Sequence, residues 1–152
     1  MRKQLFFISL IALLAMSCDD RFDFLEDLNR NPSITIIKNG NDVSSLSDSL
    51  KTSLKTGQEF YEINVIVSDP ELLLGVLSYQ VVEGNGTMYQ NGSEVTTMQY
   101  DEDGRAEFSY KPSTNGINRI KLIISDNLGN RGEATINLLV FNNIRPVAVR
   151  AL

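Results

Sequence analysis

Cys18 is the only cysteine of the chain and the side chain best suited to covalent chemistry. A lone cysteine forms neither an internal disulfide nor a thiolate zinc site, because both need at least two sulfur atoms. The sequence contains no histidine, so the commonest general base and the commonest metal ligand are both missing. Cys18 can therefore be a core thiol, half of a disulfide with another molecule, or a point of covalent attachment.

Carboxylates are the other candidates for chemistry, and they gather in three stretches expected to be loops. Asp69 and Glu71 follow one expected strand, Asp126 follows another, and residues 101–103 lie between two more. Calcium takes six to eight oxygen ligands, which loops at one pole of a sandwich can supply. None of these stretches has the spacing of a calcium loop. Acidic residues are also common in turns without any metal, because an aspartate side chain hydrogen-bonds the backbone of its own turn. We expect turn residues here, and neither a metal nor a cofactor.

The chain lacks the motifs by which most active sites are recognised. It has no Gly-x-Ser-x-Gly, no phosphate-binding loop and no metal-binding helix signature. Because histidine is also missing, we expect a protein that is not an enzyme. The formal net charge of −5 argues against a nucleic-acid partner, since phosphate binding needs a clustered basic surface.

The first 17 residues have the features of a signal peptide. Residues 1–3 are Met-Arg-Lys, and residues 5–16 are apolar apart from Ser9. This run is shorter than the roughly 20 residues needed to span a bilayer, but it suits the apolar middle of a signal peptide. The sequence therefore predicts that these residues are a targeting segment, which the mature protein lacks.

Residues 13–18, Leu-Leu-Ala-Met-Ser-Cys, resemble the lipobox of bacterial lipoproteins, with Ala15 where leucine is usual. The resemblance implies cleavage before Cys18 and a multiply acylated cysteine, and two or more chains hold a protein stably at a membrane. Loss of Arg2 and Lys3 takes the net charge from −5 to −7. The alternative is an ordinary secreted protein with Cys18 as a free thiol.

The residues after Cys18 indicate where a lipidated chain would go. Asp-Asp-Arg-Phe-Asp at 19–23 resembles the acidic stretch of surface-exported lipoproteins of Bacteroidota, which implies the outer membrane or cell surface. In enteric bacteria, an aspartate directly after the cysteine instead favours the inner membrane. As plain chemistry, the like charges make residues 18–32 an extended, solvated tether.

From Ser33 onward the apolar residues recur with a period of two, which indicates β-strands. Residues 43–54 fit either a helix or a strand. Four Asn-Gly pairs predict tight turns, and residues 101–104 predict a hairpin between 94–100 and 105–110. The expected inward-facing residues are Tyr61, Ile63, Val65, Val67, Ala106, Phe108, Tyr110, Ile120, Leu122, Ile124, Ile136, Leu138 and Val140.

The second half of the chain resembles bacterial Ig-like domains of the PKD and cadherin type. In that family a strand ending Tyr-x-Pro precedes a glycine loop, and a strand ending Ser-Asp leads through a Gly-Asn turn into the last strand. The resemblance covers roughly residues 45–143 and implies an all-β, Ig-like antiparallel sandwich of about seven strands, here spanning 33–143 before a tail of 144–152. The matching residues are Tyr110, Pro112, Gly116, Ser125, Asp126, Gly129 and Asn130.

The same alternation predicts apolar residues on the outer face of the last two strands. Ile117, Ile123, Leu139 and Phe141 are expected to point outward, and a turn centred near Leu128-Gly129 would place Ile117 opposite Phe141. Such a cluster suits a protein partner. The alternative is that residues 46–54 or the tether fold over it.

The sequence leaves three roles open, since this fold hosts many unrelated functions. The first is a protein-binding or adhesive accessory module of the cell envelope. The second is a carbohydrate-binding accessory protein, with Tyr79, Tyr89 and Tyr100 as its aromatic residues. The third rests on a resemblance to small conjugal-transfer lipoproteins of Bacteroidota, which have a similar length, a lipid-anchored start and an Ig-like body.

Separately, Asp48-Ser49-Leu50 matches the O-glycosylation pattern of Bacteroidota, which predicts a modified Ser49.

Overall fold

The computed structural model describes residues 30–52, 59–70 and 74–142, which form eleven β-strands and no helix. No helix in this described part is long and apolar enough to cross a membrane. The strands are β1 (Ser33–Lys38), β2 (Asn41–Val43), β3 (Ser45–Thr52), β4 (Tyr61–Ser68), β5 (Leu74–Glu83), β6 (Gly86–Gln90), β7 (Ser93–Val95), β8 (Thr97–Met98), β9 (Arg105–Pro112), β10 (Gly116–Asp126) and β11 (Arg131–Asn142).

The strands form two sheets, which confirms the predicted sandwich. The first sheet has the order β2-β1-β4-β9-β6-β7, and the second has the order β3-β11-β10-β5-β8. Among the described strands the pairing of β3 with β11 is parallel, whereas an antiparallel sandwich was expected. The structure has more strands than the seven or so expected, because the sequence pattern does not reveal β2, β7 and β8. These strands have only two or three residues, too few to show alternation.

The core lies between the sheets and consists of the inward-facing residues of both. All thirteen residues expected to face inward are buried. Alternation identifies them because successive side chains of a strand point to opposite faces, so every second residue reaches the core. Ile34, Ile36, Leu77, Met88, Met98 and Ala134 complete this buried set.

The segment that fitted helix or strand equally well is β3. Leu46 and Leu50 are half-buried and pack against the core from this strand. Their spacing of four is a multiple of two as well as about one helical turn, so the pattern alone does not separate the two structures. The parallel pairing of residues 45–52 with β11 makes the segment a strand.

The predicted hairpin between residues 94–100 and 105–110 is wrong. β8 pairs with β5 in the second sheet, whereas β9 pairs with β4 and β6 in the first. The turn itself is present, because the Asp101 carboxylate accepts hydrogen bonds from the backbone N–H groups of Asp103 (3.0 Å) and Arg105 (2.8 Å). The chain therefore turns where expected but crosses from one sheet to the other.

The Asn-Gly pairs serve two different purposes. Residues 39–40 and 91–92 have positive φ angles at both positions, as two-residue hairpin turns require, and they join β1 to β2 and β6 to β7. Gly86 instead begins β6, where a Cβ atom would lie 2.4 Å from the Tyr110 ring. Neither Asn85 nor Gly86 has a positive φ angle. The positive φ lies one residue earlier, at Gly84, where the chain passes from β5 to β6 in the other sheet.

Candidate functional site

The outer face of the second sheet carries a group of exposed apolar side chains, here called the end patch: Ile117, Leu139 and Phe141. Their exposed fractions are 51%, 50% and 42%. Ile117 lies directly opposite Leu139 in the β10–β11 ladder. The expected pairing of Ile117 with Phe141 is therefore wrong by two residues, although the three side chains are still neighbours on one face.

Polar residues border the end patch along the same two strands. Arg119 donates a hydrogen bond to the side chain of Asn137 (3.0 Å) and forms an ion pair with Glu83 (3.4 Å). One step further along, Lys121 pairs with Glu133 (2.8 Å). A shallow depression of about 420 Å³ lies at this border, lined by Ser47, Asp48, Ile117, Arg119, Asn137 and Leu139.

The described residues do not cover the end patch in the way the sequence allowed. Leu46 and Leu50 point into the core from β3, which lies beside β11 in the sheet rather than over it. Leu54 and residues 18–29 of the tether lie outside the described residues. The end patch as a partner-binding surface stays a prediction.

Lys38, Asp48 and Tyr61 join three strands at one side of the sandwich. Asp48 on β3 receives a hydrogen bond from the Tyr61 hydroxyl (2.6 Å) and forms an ion pair with Lys38 (2.5 Å), so it ties the second sheet to β1 and β4 of the first. Hydrogen bonding from Lys38, then from Tyr61, lowers the pKa of Asp48 from 3.8 to about 2. Burial, followed by the bond to Asp48, raises the pKa of Tyr61 to about 12.

The low pKa of Asp48 predicts acid-sensitive stability. A carboxyl whose pKa is lower in the folded state stabilises the fold once it is ionised, so the contribution is present above about pH 4 and is lost as the pH falls to about 2. Solvent screening limits a partly exposed pair to about 0.5–1 kcal/mol. In urea titrations, the stability difference between the wild type and Asp48→Asn should shrink across this window. A difference that stays constant from pH 5 to pH 2 would contradict the assignment.

Ser49, the predicted O-glycosylation site, lies on β3 and is exposed. Its backbone N–H donates a hydrogen bond to the Asp48 carboxylate (2.8 Å). The hydroxyl therefore belongs to a surface strand whose neighbouring aspartate is already engaged with Lys38 and Tyr61. Modification of Ser49 stays a prediction.

The acidic candidates do not assemble into a metal site among the described residues, where no group of three or more potential ligands is close enough to hold an ion. Asp69 is buried, and Glu71 lies outside the described residues. Asp126 accepts hydrogen bonds from the backbone N–H groups of Leu128 (2.8 Å) and Asn130 (2.7 Å). Burial opposes its ionisation, but the bonds from Asn130 and the turn outweigh burial and hold the pKa of Asp126 below its usual value. Asp126 thus closes the β10–β11 turn.

The three tyrosines proposed for carbohydrate binding do not share one face. Tyr79 and Tyr100 pack against the core, and the Tyr100 hydroxyl donates to the backbone carbonyl of Gly75 (2.7 Å). Tyr89 contacts the ring of Phe60 edge to face, with centroids 5.3 Å apart. The structure thus offers no shared platform of these three residues, and sequence reasoning missed Phe60 because it precedes its strand.

A buried polar cluster at the Gly116 end of the sandwich was also missed. Asn118 is fully buried, and its side-chain oxygen accepts a hydrogen bond from the Tyr110 hydroxyl (3.1 Å). Its amide group donates to the backbone carbonyls of Thr114 (3.1 Å) and Gly116 (3.4 Å). An inward-facing asparagine in an otherwise apolar alternation was the available signal. Burial raises the pKa of Tyr110 to about 12, which keeps its hydroxyl protonated as the donor.

Two face-to-face sheets around one apolar core, with β1 and β4 in the first and β10 paired with β11 in the second, define an Ig-like β-sandwich. The chain matches no protein-family model and no curated protein sequence. Its likeness to solved structures therefore concerns the fold.

Three solved structures illustrate this likeness. A conjugative transposon lipoprotein from Bacteroides eggerthii has a TM-score of 0.52 at 14% identity, with 72% of this chain and 98% of that chain covered. A conjugate transposon protein from Bacteroides vulgatus has a TM-score of 0.49 at 17% identity, with 82% and 94% covered. Fibronectin(III)-like modules of Clostridium thermocellum have a TM-score of 0.46 at 14% identity, with 72% and 97% covered.

Proposed function

We propose that the chain is a non-catalytic lipoprotein, anchored through Cys18, whose sandwich is an accessory module of conjugal transfer at the cell envelope. The observation that carries this proposal is the likeness to the conjugative transposon lipoprotein from Bacteroides eggerthii. Because 98% of that chain is covered, the likeness extends over nearly its full length. A lone cysteine directly after an apolar leader supports the anchor.

The described ionisable groups support a non-catalytic role. The pKa values of Asp48, Tyr61 and Tyr110 shift because of an ion pair, a hydrogen bond or burial within the fold. Perturbed groups of an active site usually lie in a cleft facing substrate. Asp48 lines the shallow depression beside the end patch, but its carboxylate is bonded to Lys38 and Tyr61. The Tyr110 hydroxyl is likewise bonded to Asn118, so these contacts hold strands together.

The outer edge of β3 supports a protein partner. β3 has eight residues and pairs with β11 on one side, while its other edge has no partner strand among the described residues. An open edge presents backbone N–H and C=O groups to which an extended segment of another protein can add. The proposed partner is an envelope protein of the transfer apparatus, and the proposed location is the outer membrane or cell surface.

Replacement of Cys18 tests the anchor. In a bacterium that processes lipoproteins, Cys18→Ser should move the protein from the membrane fraction to the soluble fraction, because no acyl chains remain to hold it. Ser9→Ala is the matched control, since it lies in the leader and should leave the protein at the membrane. Intact-mass measurement should find lipid on Cys18 of the wild type. A wild-type chain with a bare thiol would contradict the anchor.

Transfer frequency tests the role. A strain lacking the protein should transfer its conjugative element less often. The wild type should restore transfer, whereas Cys18→Ser should not, because it is released from the envelope. Crosslinking of the native protein in envelopes should recover transfer proteins. Normal transfer without the protein would reject the conjugal role while leaving the anchor intact.

A further inference from the structure

The chain contains four Asn-Gly pairs, and the structure holds them in two different ways. The pairs are residues 39–40, 85–86, 91–92 and 115–116. Asparagine is a thermolabile residue, and a following glycine, which has no Cβ atom, leaves its backbone nitrogen easy to approach. Because the dipeptide is the same at all four places, a large difference in reactivity between them must come from the fold.

An Asn-Gly pair can react with itself and with water. The backbone nitrogen of the glycine attacks the side-chain carbonyl carbon of the asparagine. A new C–N bond forms, the side-chain amide bond breaks, and ammonia leaves with the proton of the backbone N–H. Water then opens the resulting succinimide ring at either carbonyl and gives aspartate or isoaspartate. The reaction needs an accessible glycine nitrogen and a backbone that can rotate toward the asparagine side chain.

Residues 39–40 and 91–92 meet these conditions. Both asparagines are exposed, and each has a φ angle of 53° in a two-residue hairpin turn. The hydrogen bond that closes such a turn uses the N–H of the residue after the glycine. In the described part of the chain, the N–H groups of Gly40 and Gly92 donate to no backbone carbonyl. Each turn leads into an edge strand of three residues, β2 or β7, so local opening breaks few contacts.

Residues 85–86 are held on both sides instead. The backbone N–H of Asn85 donates to the Thr114 hydroxyl (3.0 Å) and to the side-chain oxygen of Asn118 (3.3 Å). The Asn85 carbonyl accepts a hydrogen bond from the backbone N–H of Ser113 (2.8 Å). Gly86 is half-buried as the first residue of β6. Rotation of this pair therefore requires several hydrogen bonds to break together.

The same Asn118 side chain holds residues 115–116. Its amide group donates to the backbone carbonyls of Thr114 (3.1 Å) and Gly116 (3.4 Å), which lie on either side of Asn115. Gly116 is also the first residue of β10 and lies opposite Val140 in the ladder. The backbone around Asn115 is thus fixed by a fully buried side chain.

We propose that Asn39 and Asn91 are sites of spontaneous deamidation in the folded protein, whereas the contacts of Asn118 protect Asn85 and Asn115. Each conversion adds one negative charge at an edge of the first sheet, because an aspartate is ionised at neutral pH. An isoaspartate also adds one atom to the main chain, which disrupts the turn that sets the register of its hairpin. The strands that follow, β2 and β7, contain no fully buried residue, so the fold confines this ageing to hairpins outside the core.

Peptide mapping of the full chain, purified from envelopes in detergent, tests the proposal. The folded protein is incubated in mildly alkaline buffer made with heavy-oxygen water, which labels carboxylates formed during the incubation. Tandem mass spectrometry should find several-fold more label at positions 39 and 91 than at 85 and 115. In urea, where turns and buried contacts are lost, the four positions should react at similar rates. Equal labelling of all four positions in the folded protein, more label at 85 or 115, or no label at 39 and 91 would each overturn the proposal.

Two variants test the protection by Asn118. Asn118→Ala should raise the labelling of positions 85 and 115 several-fold and leave that of positions 39 and 91 unchanged. Ile124→Ala is the matched control, because it removes buried side-chain atoms at the other end of β10 and touches neither pair. Near-UV circular dichroism checks that both variants stay folded. An equal rise at 85 and 115 in the two variants would contradict local protection by Asn118, and the wild-type comparison of the four positions decides the proposal even where a variant does not fold.

Discussion

Ile124→Ala should lower the free energy of unfolding by about 2–5 kcal/mol, a larger loss than we expect from any substitution on the outer faces of the sheets. Ile124 is fully buried in β10, opposite Gly132 of β11 and Leu77 of β5. Removal of its three outer carbons loses their burial and leaves a cavity, because close-packed neighbours relax only in part. Urea unfolding followed by far-UV circular dichroism measures the loss.

Ile123 provides the matched control for this prediction. It is adjacent to Ile124 in β10, but it points to the outer face and is only half-buried. Ile123→Ala should therefore cost about 1 kcal/mol or less, since solvent already contacts its side chain. If both variants lost the same free energy of unfolding, the assignment of Ile124 to the inner face and Ile123 to the outer face of β10 would be wrong.

Asn118→Ala should be the next most damaging change. The Tyr110 hydroxyl loses its hydrogen-bond acceptor, and this alone should lower the free energy of unfolding by about 1–3 kcal/mol. That hydroxyl donates to the Asn118 side chain at 3.1 Å in a fully buried environment. The backbone carbonyls of Thr114 and Gly116 lose the amide donor as well. Urea denaturation is again the measurement.

A double-mutant cycle with Tyr110→Phe separates this hydrogen bond from other effects. In the Asn118→Ala background, Tyr110→Phe should restore part of the stability, because it removes the hydroxyl that has lost its acceptor. Alone, Tyr110→Phe should destabilise the fold, because it leaves the Asn118 oxygen with one partner fewer. Strictly additive losses would show that the two side chains are not coupled.

The faces of the strands could be predicted because alternation is a local property. In β4, Tyr61, Ile63 and Val65 are separated by polar or half-buried residues, and the pattern alone indicates which side is buried. The same logic placed Ile117 and Leu139 outside. A period of two follows from the pleat of any strand, whatever its neighbours are.

The partners of the strands could not be predicted in the same way. Asp101 and Gly104 indicate a turn, but no residue of that turn indicates that β8 pairs with β5 and β9 with β4. The register of β10 with β11 depends on how long their turn is, which Asp126 sets by bonding to Leu128 and Asn130. If the assumed centre of the turn is moved by one residue, every residue of β10 is paired with a residue of β11 two positions away, as happened for Ile117.

The amino-acid sequence alone specifies an acidic chain, an apolar run before a single cysteine, and a series of strands whose inner and outer faces can be assigned. Three features follow from the folded structure and not from the local pattern: the parallel pairing of β3 with β11, the contact of Asp48 with Lys38 and Tyr61, and the buried hydrogen bond between Asn118 and Tyr110. The physical reason is distance along the chain. The face on which a side chain lies follows from residues two positions apart. Sheet pairing and polar contacts instead depend on which segments, distant in the sequence, form the most stable packing.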